Sequence, residues 1–368
     1  MSHTTARLAW LLLPVLATSS QGAVLHVPAE YPDIQSAVDA ASTADTVLVA
    51  PGTYTGPGNR NINYHGVDLA LISEAGAAAT VIDCEGLGRG FDFRSMETAA
   101  ALLEGFTITN GRATALNFPG SFAAGVSCRG HSNPTIRDCV LVENHAVNGG
   151  GIGMADSAPT LIGCVIAGNL ADESGGGVTM VAFSAPVFED CLITGNKAPA
   201  GAGVQMNLSS LAFQGCTIAA NSADGGGGGI LVDADSTPAF ERCILWGNCG
   251  TVGESILSTD PDNVVSMDCC AVDSSEVSGD GIAYGEDNVF TNPFFCDPLD
   301  CADAPSSEGD FGLHENSPCV AELSPCGQRI GALDAACGPV SSVPDPAGHD
   351  RTSWGRIKSD YGPSRSGR

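Results

Sequence analysis

One spacing constrains this chain more than anything else in it. The aliphatic residue after each glycine cluster falls at Val126, Ile152, Val178, Val204 and Ile230, always 26 residues apart. Cysteines at 139, 164, 191, 216 and 243 keep the same rhythm, in steps of 25 or 27. Two residues after each cysteine stands Leu141, Ile166, Ile193, Ile218 or Leu245, and five after it Asn144, Asn169, Asn196, Asn221 or Asn248. Four columns sharing one period define a repeat architecture, in which each unit buries its apolar surface on its neighbours.

The repeat is made of strands. In Pro134 to Ala158 the β-prone runs are short and are broken by Gly, Asn and Pro, which fits strands and not helices. The spacing therefore predicts an all-β, single-stranded right-handed parallel β-helix, a solenoid of about 26 residues per coil, with three strands to a coil. Parallel stacking at about 4.8 Å places like residues in files. The Leu/Ile column fills the interior. The Asn column suits a tight bend, because Asn tolerates left-handed backbone, and its amides can bond from coil to coil. Gly149 to Gly151, Gly175 to Gly177 and Gly225 to Gly229 provide positive φ and close backbone approach. A phosphate loop is excluded, since no Lys-Ser/Thr pair follows these glycines. The cysteine column reads as small buried hydrophobes, with disulfides between neighbouring coils as the alternative.

Composition enters at the question of compartment. The formal net charge is −27, from 15 Lys+Arg against 42 Asp+Glu. That excludes a nucleic-acid binder, which needs a basic footprint. Arg7 followed by the apolar run Leu8 to Ala17 reads as a signal peptide, residues 1–23, too short to span a bilayer. Fifteen cysteines fit an oxidising compartment. A secreted, extracellular or cell-surface location follows, with no transmembrane segment in the mature chain.

The solenoid is expected over 24–290. Tyr31-Pro32-Asp33 opens a short N-terminal capping helix with Ile34, Ala37, Val38 and Ala41 on one face, and Asp45 to Tyr54 reads as the first strand and turn. A longer coil leaves a protruding loop near Ala113 to Phe122 that carries Phe118 and Phe122. After Asn248 the rhythm fades, and Cys249, Cys269, Cys270, Cys296, Cys301, Cys319, Cys326 and Cys337 fall outside the ladder. They read as a disulfide-rich C-terminal cap over 291–338, of undetermined pairing. Residues 339–368 read as a disordered tail.

Several of these segments carry a resemblance. Ile34-Gln-Ser-Ala-Val with Asp45-Thr-Val-Leu-Val-Ala-Pro-Gly-Thr-Tyr, Thr80-Val-Ile-Asp-Cys-Glu-Gly, and Leu103-Glu-Gly-Phe-Thr-Ile-Thr-Asn110 resemble the first coils of bacterial pectin-lyase-like β-helix proteins. The paired Gly-Gly-Gly-Ile/Val and Ile/Leu-x-x-Asn motifs are similar to repeats of polymorphic outer-membrane proteins. Asn292-Pro-Phe-Phe, Asp310-Phe-Gly-Leu and Ser317-Pro-Cys resemble closing segments of the same secreted group. No run of amphipathic strands follows, so no autotransporter barrel is implied. Ser353-Trp-Gly-Arg-Ile-Lys358 looks like the short tail of some exported bacterial proteins.

The fold hosts polysaccharide lyases and hydrolases as well as non-enzymes, so function rests on sites. Lys197, Arg129, Arg137 and Arg242 are the cations of the repeat body. Arg137, Glu189, Gln214 and Glu241 take equivalent positions and read as a solvent-facing charged column. Asp172/Glu173 and Asp233/Asp235 are the near carboxylate pairs; neither makes a convincing hydrolase pair. Asp260, Asp262 and Asn263 are the metal candidates, with oxygens that suit calcium; no other cofactor is expected. His131 and His145 stand isolated, and no nucleophile–base constellation is visible. Trp246 is the one sugar-stacking candidate in the repeat body, with a coil-end hydrophobe as its plainer role. The reading is a monomeric, non-catalytic surface protein, adhesive or scaffolding, whose partners are polysaccharides or cell-surface glycans. The alternative is a polysaccharide lyase or related carbohydrate enzyme.

Overall fold

A computed structural model of the chain describes residues 22–115 and 120–338. The signal-peptide reading, Phe118 and the tail 339–368 lie outside those residues. Among the described residues the chain winds into a parallel solenoid whose three long sheets have eleven, nine and eight strands. Register is kept from coil to coil. Val126, Ile152, Val178, Val204, Ile230 and Ile256 face one another in sequence along the eight-stranded sheet. Leu141, Ile166, Ile193, Ile218, Leu245 and Val272 do so along the nine-stranded sheet. All of them are fully buried, so the interior is a set of aliphatic files. One file turns aromatic: Phe188, Phe213 and Phe240 follow one another with ring centroids 4.8 and 5.3 Å apart. The expected Arg137 column runs Glu104, Arg137, Ile162, Glu189, Gln214, Glu241 and Asp268 along the eleven-stranded sheet.

The asparagine ladder forms. Asn144, Asn169, Asn196, Asn221 and Asn248 are joined by amide–amide hydrogen bonds of 3.1, 3.0, 2.9 and 3.0 Å. Each amide also donates to a carbonyl of the preceding coil, as Asn196 does to Ile166 O at 2.9 Å. The bend is not made by the asparagines, however. Left-handed φ falls one residue earlier, at Glu143, Gly168, Gly195, Ala220 and Gly247. The asparagines are needed for their buried amides.

Four further expectations are corrected. The first strand is β1 (Val24–Val27), and it pairs with β2 (Thr46–Val49). The helix α1 (Ile34–Ala40) lies between them and buries Ile34, Ala37 and Val38. Asp33 caps it by accepting from Ser36 N at 2.8 Å, so Pro32 precedes the cap. Second, the central coils carry a fourth short strand, in a five-stranded sheet that includes His145–Asn148 and Leu170–Ser174. Third, Cys270 continues the cysteine ladder, its Sγ accepting from Cys243 N at 3.4 Å. Fourth, the disulfide-rich C-terminal region extends beyond a cap, along one flank of the solenoid. Its Ser306 N donates to Gly195 O, its Arg329 pairs with Asp190, and its Ala332 N donates to Thr217 Oγ1. These contacts lie along the outer face of the nine-stranded sheet. That face carries Val140, Val142, Leu192 and Ile244, which the flank covers with Phe311, Leu313 and Ile330. A sheet apolar on both faces has to be covered.

Disulfides Cys249–Cys301 and Cys269–Cys326 tie the flank to the last coils, and Cys296–Cys337 closes it on itself. The remaining nine cysteines are free and buried, so the ladder holds no disulfides. Its thiols donate instead to carbonyls of the preceding coil, Cys191 to Leu161 O at 3.5 Å and Cys216 to Phe188 O at 3.5 Å. Burial pushes the Cys84 and Cys139 thiols up to about 12. Since the thiolate is the reactive form, the folded protein is expected to give essentially no reaction with Ellman's reagent at pH 8. Unfolding without reductant should release nine thiols. Rapid titration of several thiols in the folded state would contradict the buried file.

Candidate functional site

A concavity lies where the flank leaves the wall. Along the outer face of the nine-stranded sheet, the position held by Val142, Ala167, Thr194 and Ala219 becomes Trp246 in the next coil. Small residues let the flank lie close; the indole arrives where it parts from the wall. A groove of about 470 Å³ opens between Trp246 and flank residues that include Asn292, Phe294, Phe295, Asp300 and His314. Several interactions hold this shape. Cys249–Cys301 clamps one side. Phe295 and Phe311 meet edge to face with centroids 5.3 Å apart. Asn292 Oδ1 accepts from Phe294 N at 2.7 Å, setting a left-handed turn at Phe294. Trp246 itself is half-buried. An aromatic plate beside amide, carboxylate and imidazole groups can stack an apolar sugar face and hold its hydroxyls.

A second, polar concavity of about 380 Å³ sits at a corner of the early coils, lined by Asp83, Glu85, Asn110, Arg112, Glu143 and His145. His145 is not isolated here. Its Nε2 lies 2.7 Å from Asp172 Oδ1 of the next coil, and Arg60 pairs with Glu85 at 2.5 Å. A ring held by a carboxylate has the orientation that a general base requires. His131 also finds a partner, Asp156, at 3.3 Å, though both are well exposed.

The expected carboxylate pairs separate. Asp172 serves His145, while Glu173 accepts from Asn148 Nδ2 at 3.1 Å. Asp233 accepts from the Thr259 hydroxyl. Asp235 joins Asp260 and Asp262 instead, their carboxylate oxygens lying within 4.8 Å of one another. The third metal candidate, Asn263, turns inward. It is buried, its Oδ1 accepts from Ser236 N at 2.8 Å, and its amide donates to Val232 O and Ser258 Oγ. Backbone carbonyls and waters would have to supply the rest of the six to eight oxygens that calcium takes. Cys249, Asp300 and Cys301 also cluster, but the two sulfurs are joined as a disulfide. Phe122 is buried and packs over Gly153 on the wall.

Residues 73–266 match the family model described as right handed beta helix region. The chain belongs to that family. As a β-helix protein it also resembles the crystal structure of pectate lyase Pel9A, with a TM-score of 0.51 at 12% identity, over 85% of this chain and 96% of that one. At this identity the likeness is one of fold, and it bears out the expected pectin-lyase-like architecture. No curated protein matches the sequence. Among the described residues no helix is long and apolar enough to cross a membrane.

Proposed function

We propose that this β-helix protein is an exported, non-catalytic scaffold that binds a glycan chain in the groove beside Trp246. The observation that carries the reading is the half-buried indole, set over an aromatic-lined groove with Asn292, Asp300 and His314 within it. Three disulfides support export, since such bonds persist in oxidising compartments. Trp246→Ala is expected to weaken glycan binding by tenfold or more, the loss of one stacking plate and its buried area. Trp246→Phe should restore most of it. Affinity electrophoresis against a panel of soluble polysaccharides measures both, with circular dichroism confirming the fold. Unchanged retention of Trp246→Ala, or a panel with no binder, rejects the groove.

A second reading rests on the His145–Asp172 contact. In it the polar corner pocket abstracts a proton from a bound polysaccharide, with His145 as base and Asp172 holding the ring. Pectate, alginate and chondroitin are the substrates to try, with the absorbance of unsaturated products followed. Turnover that falls 10²- to 10⁴-fold in His145→Ala would replace the binding reading with this one. Turnover that survives His145→Ala would place any activity elsewhere.

A further inference from the structure

The first two strands of the eight-stranded sheet carry a charge arrangement unlike the rest of the wall. Phe91–Phe93 and Val126–Arg129 pair in parallel, with Phe91 opposite Val126 and Phe93 opposite Cys128, all four turned into the core. Asp92 alternates with them and faces outward. Arg129 grips it with Nη2 at 2.9 and 3.1 Å and Nε at 3.2 Å. Arg94 approaches the same carboxylate at 3.3 Å. Arg89 stands close by, its Nε donating to Phe122 O and Ala123 O. Glu97, an acid a few residues along the chain, is fully buried and accepts from Gly66 N and Ser95 N.

The imbalance is local. Elsewhere the arginines that form ion pairs have acids of their own: Arg60 with Glu85, Arg137 with Glu104, Arg242 with Glu241, and Arg329 with both Asp190 and Asp334. At Asp92 the guanidiniums of Arg129 and Arg94 share one outward carboxylate, on a chain whose net charge is −27. Burial and the two neighbouring guanidiniums push the Arg89 pKa down, against the pull of Asp92. Like charges are held together here at a cost that another anion would relieve. The groups are also graded in access: side-chain exposure is 9% for Asp92, 18% for Arg129 and 51% for Arg94. Asp92 is therefore a floor that fixes Arg129, and Arg94 is the part open to solvent. At physiological ionic strength charges beyond about 8 Å are largely screened, so acids farther off than that do little to cancel this patch.

We propose that the outer face at Arg94 and Arg129 binds an oxyanion, a sulfate or carboxylate group, whose oxygens take the guanidinium N–H groups not used on Asp92. The site lies on a different sheet from the Trp246 groove and several coils away, and it does not depend on that groove.

The test is equilibrium dialysis of inorganic sulfate, with affinity electrophoresis against chondroitin sulfate, polygalacturonate and neutral dextran at 150 mM salt. Arg94→Glu is compared with Arg94→Gln and wild type. Retention by one or both anionic polymers is expected, with none by dextran. Binding only the sulfated polymer would assign sulfate, and binding only polygalacturonate would assign carboxylate. Arg94→Glu should weaken retention at least tenfold and Arg94→Gln about threefold, with unchanged melting because Arg94 is half exposed. Trp246→Ala should leave anion retention intact, so the two sites stand or fall separately. Equal retention of Arg94→Glu and wild type, or no anion bound at all, overturns the proposal.

Discussion

Asn196→Ala is expected to destabilise the protein by about 3–5 kcal/mol, since each buried polar group stranded without a partner costs about 1–3 kcal/mol. Asn196 has no exposed surface and sits at the middle of the amide ladder. Its Oδ1 accepts from both Asn169 N and Asn169 Nδ2 at 3.0 Å. Its Nδ2 donates to Ile166 O and to Asn221 Oδ1, both at 2.9 Å. Alanine takes the acceptor from Asn169 N and from one amide hydrogen of Asn169, takes a donor from Ile166 O, and leaves a buried void, while Asn221 Oδ1 keeps only the Asn196 backbone N–H. Asn196→Asp should be worse. It keeps the acceptor but sets a buried carboxylate against Ile166 O and Asn221 Oδ1, two oxygens that it cannot satisfy. Asn148→Ala is the control, because Asn148 bonds Glu173 and Ser174 at the partly exposed rim and should cost under about 1 kcal/mol. Urea unfolding gives the three values. Hydrogen exchange should place the loss in the coils around residues 169–221, because each coil touches only its neighbours. A wild-type midpoint for Asn196→Ala would mean that the ladder is ornamental.

The ladder also explains what could be read from the sequence. In-register stacking presents each interior position with the same environment in every coil, so selection returns the same residue type every 25 to 27 positions. Leu141 to Leu245 and Asn144 to Asn248 were legible for that reason. What broke the period was not legible as a site. His145 and Asp172 are 27 residues apart, yet the ladder between their strands shifts register between Ala146 and Asn148, and neither residue recurs in other coils. Arg329 reaches Asp190 across 139 residues, and the Trp246 groove needs Phe294 and His314 from the flank. One signal for the flank was present and unused. Val140 and Val142 stand on either side of the inward Leu141, and an unbroken apolar strand predicts a cover on its outer face. Cys270 was hidden by its neighbour: 27 residues after Cys243 it keeps the rhythm, but the adjacent Cys269 made the pair look like part of the disulfide framework.

The glycines divide into two kinds, and the division gives the sharpest stability contrast after the ladder. Gly177→Ala is expected to cost about 3 kcal/mol or more, at the upper end for overpacking a tight interior. A β-carbon there would lie 2.7 Å from Gly203 O and 2.9 Å from Asn196 Nδ2. Neither atom can yield, since one is backbone of the next coil and the other is fixed in the amide ladder. Gly247→Ala should cost only about 1 kcal/mol, the lower end of the penalty for an L-residue in left-handed backbone. Its φ is +63°, but nothing lies within 4 Å of the added carbon. Glu143 and Ala220 already hold left-handed φ at the equivalent turn, so the position accepts side chains. The column of Gly177 does not, with one exception: 26 residues after Gly229 it ends in Ser255, where the chain of the next coil is Glu276 and not a glycine run. A side chain enters that column only where the backbone above it has opened. Finding Gly247→Ala more damaging than Gly177→Ala would show that backbone dihedral, and not the contact between coils, is what the glycine runs are kept for.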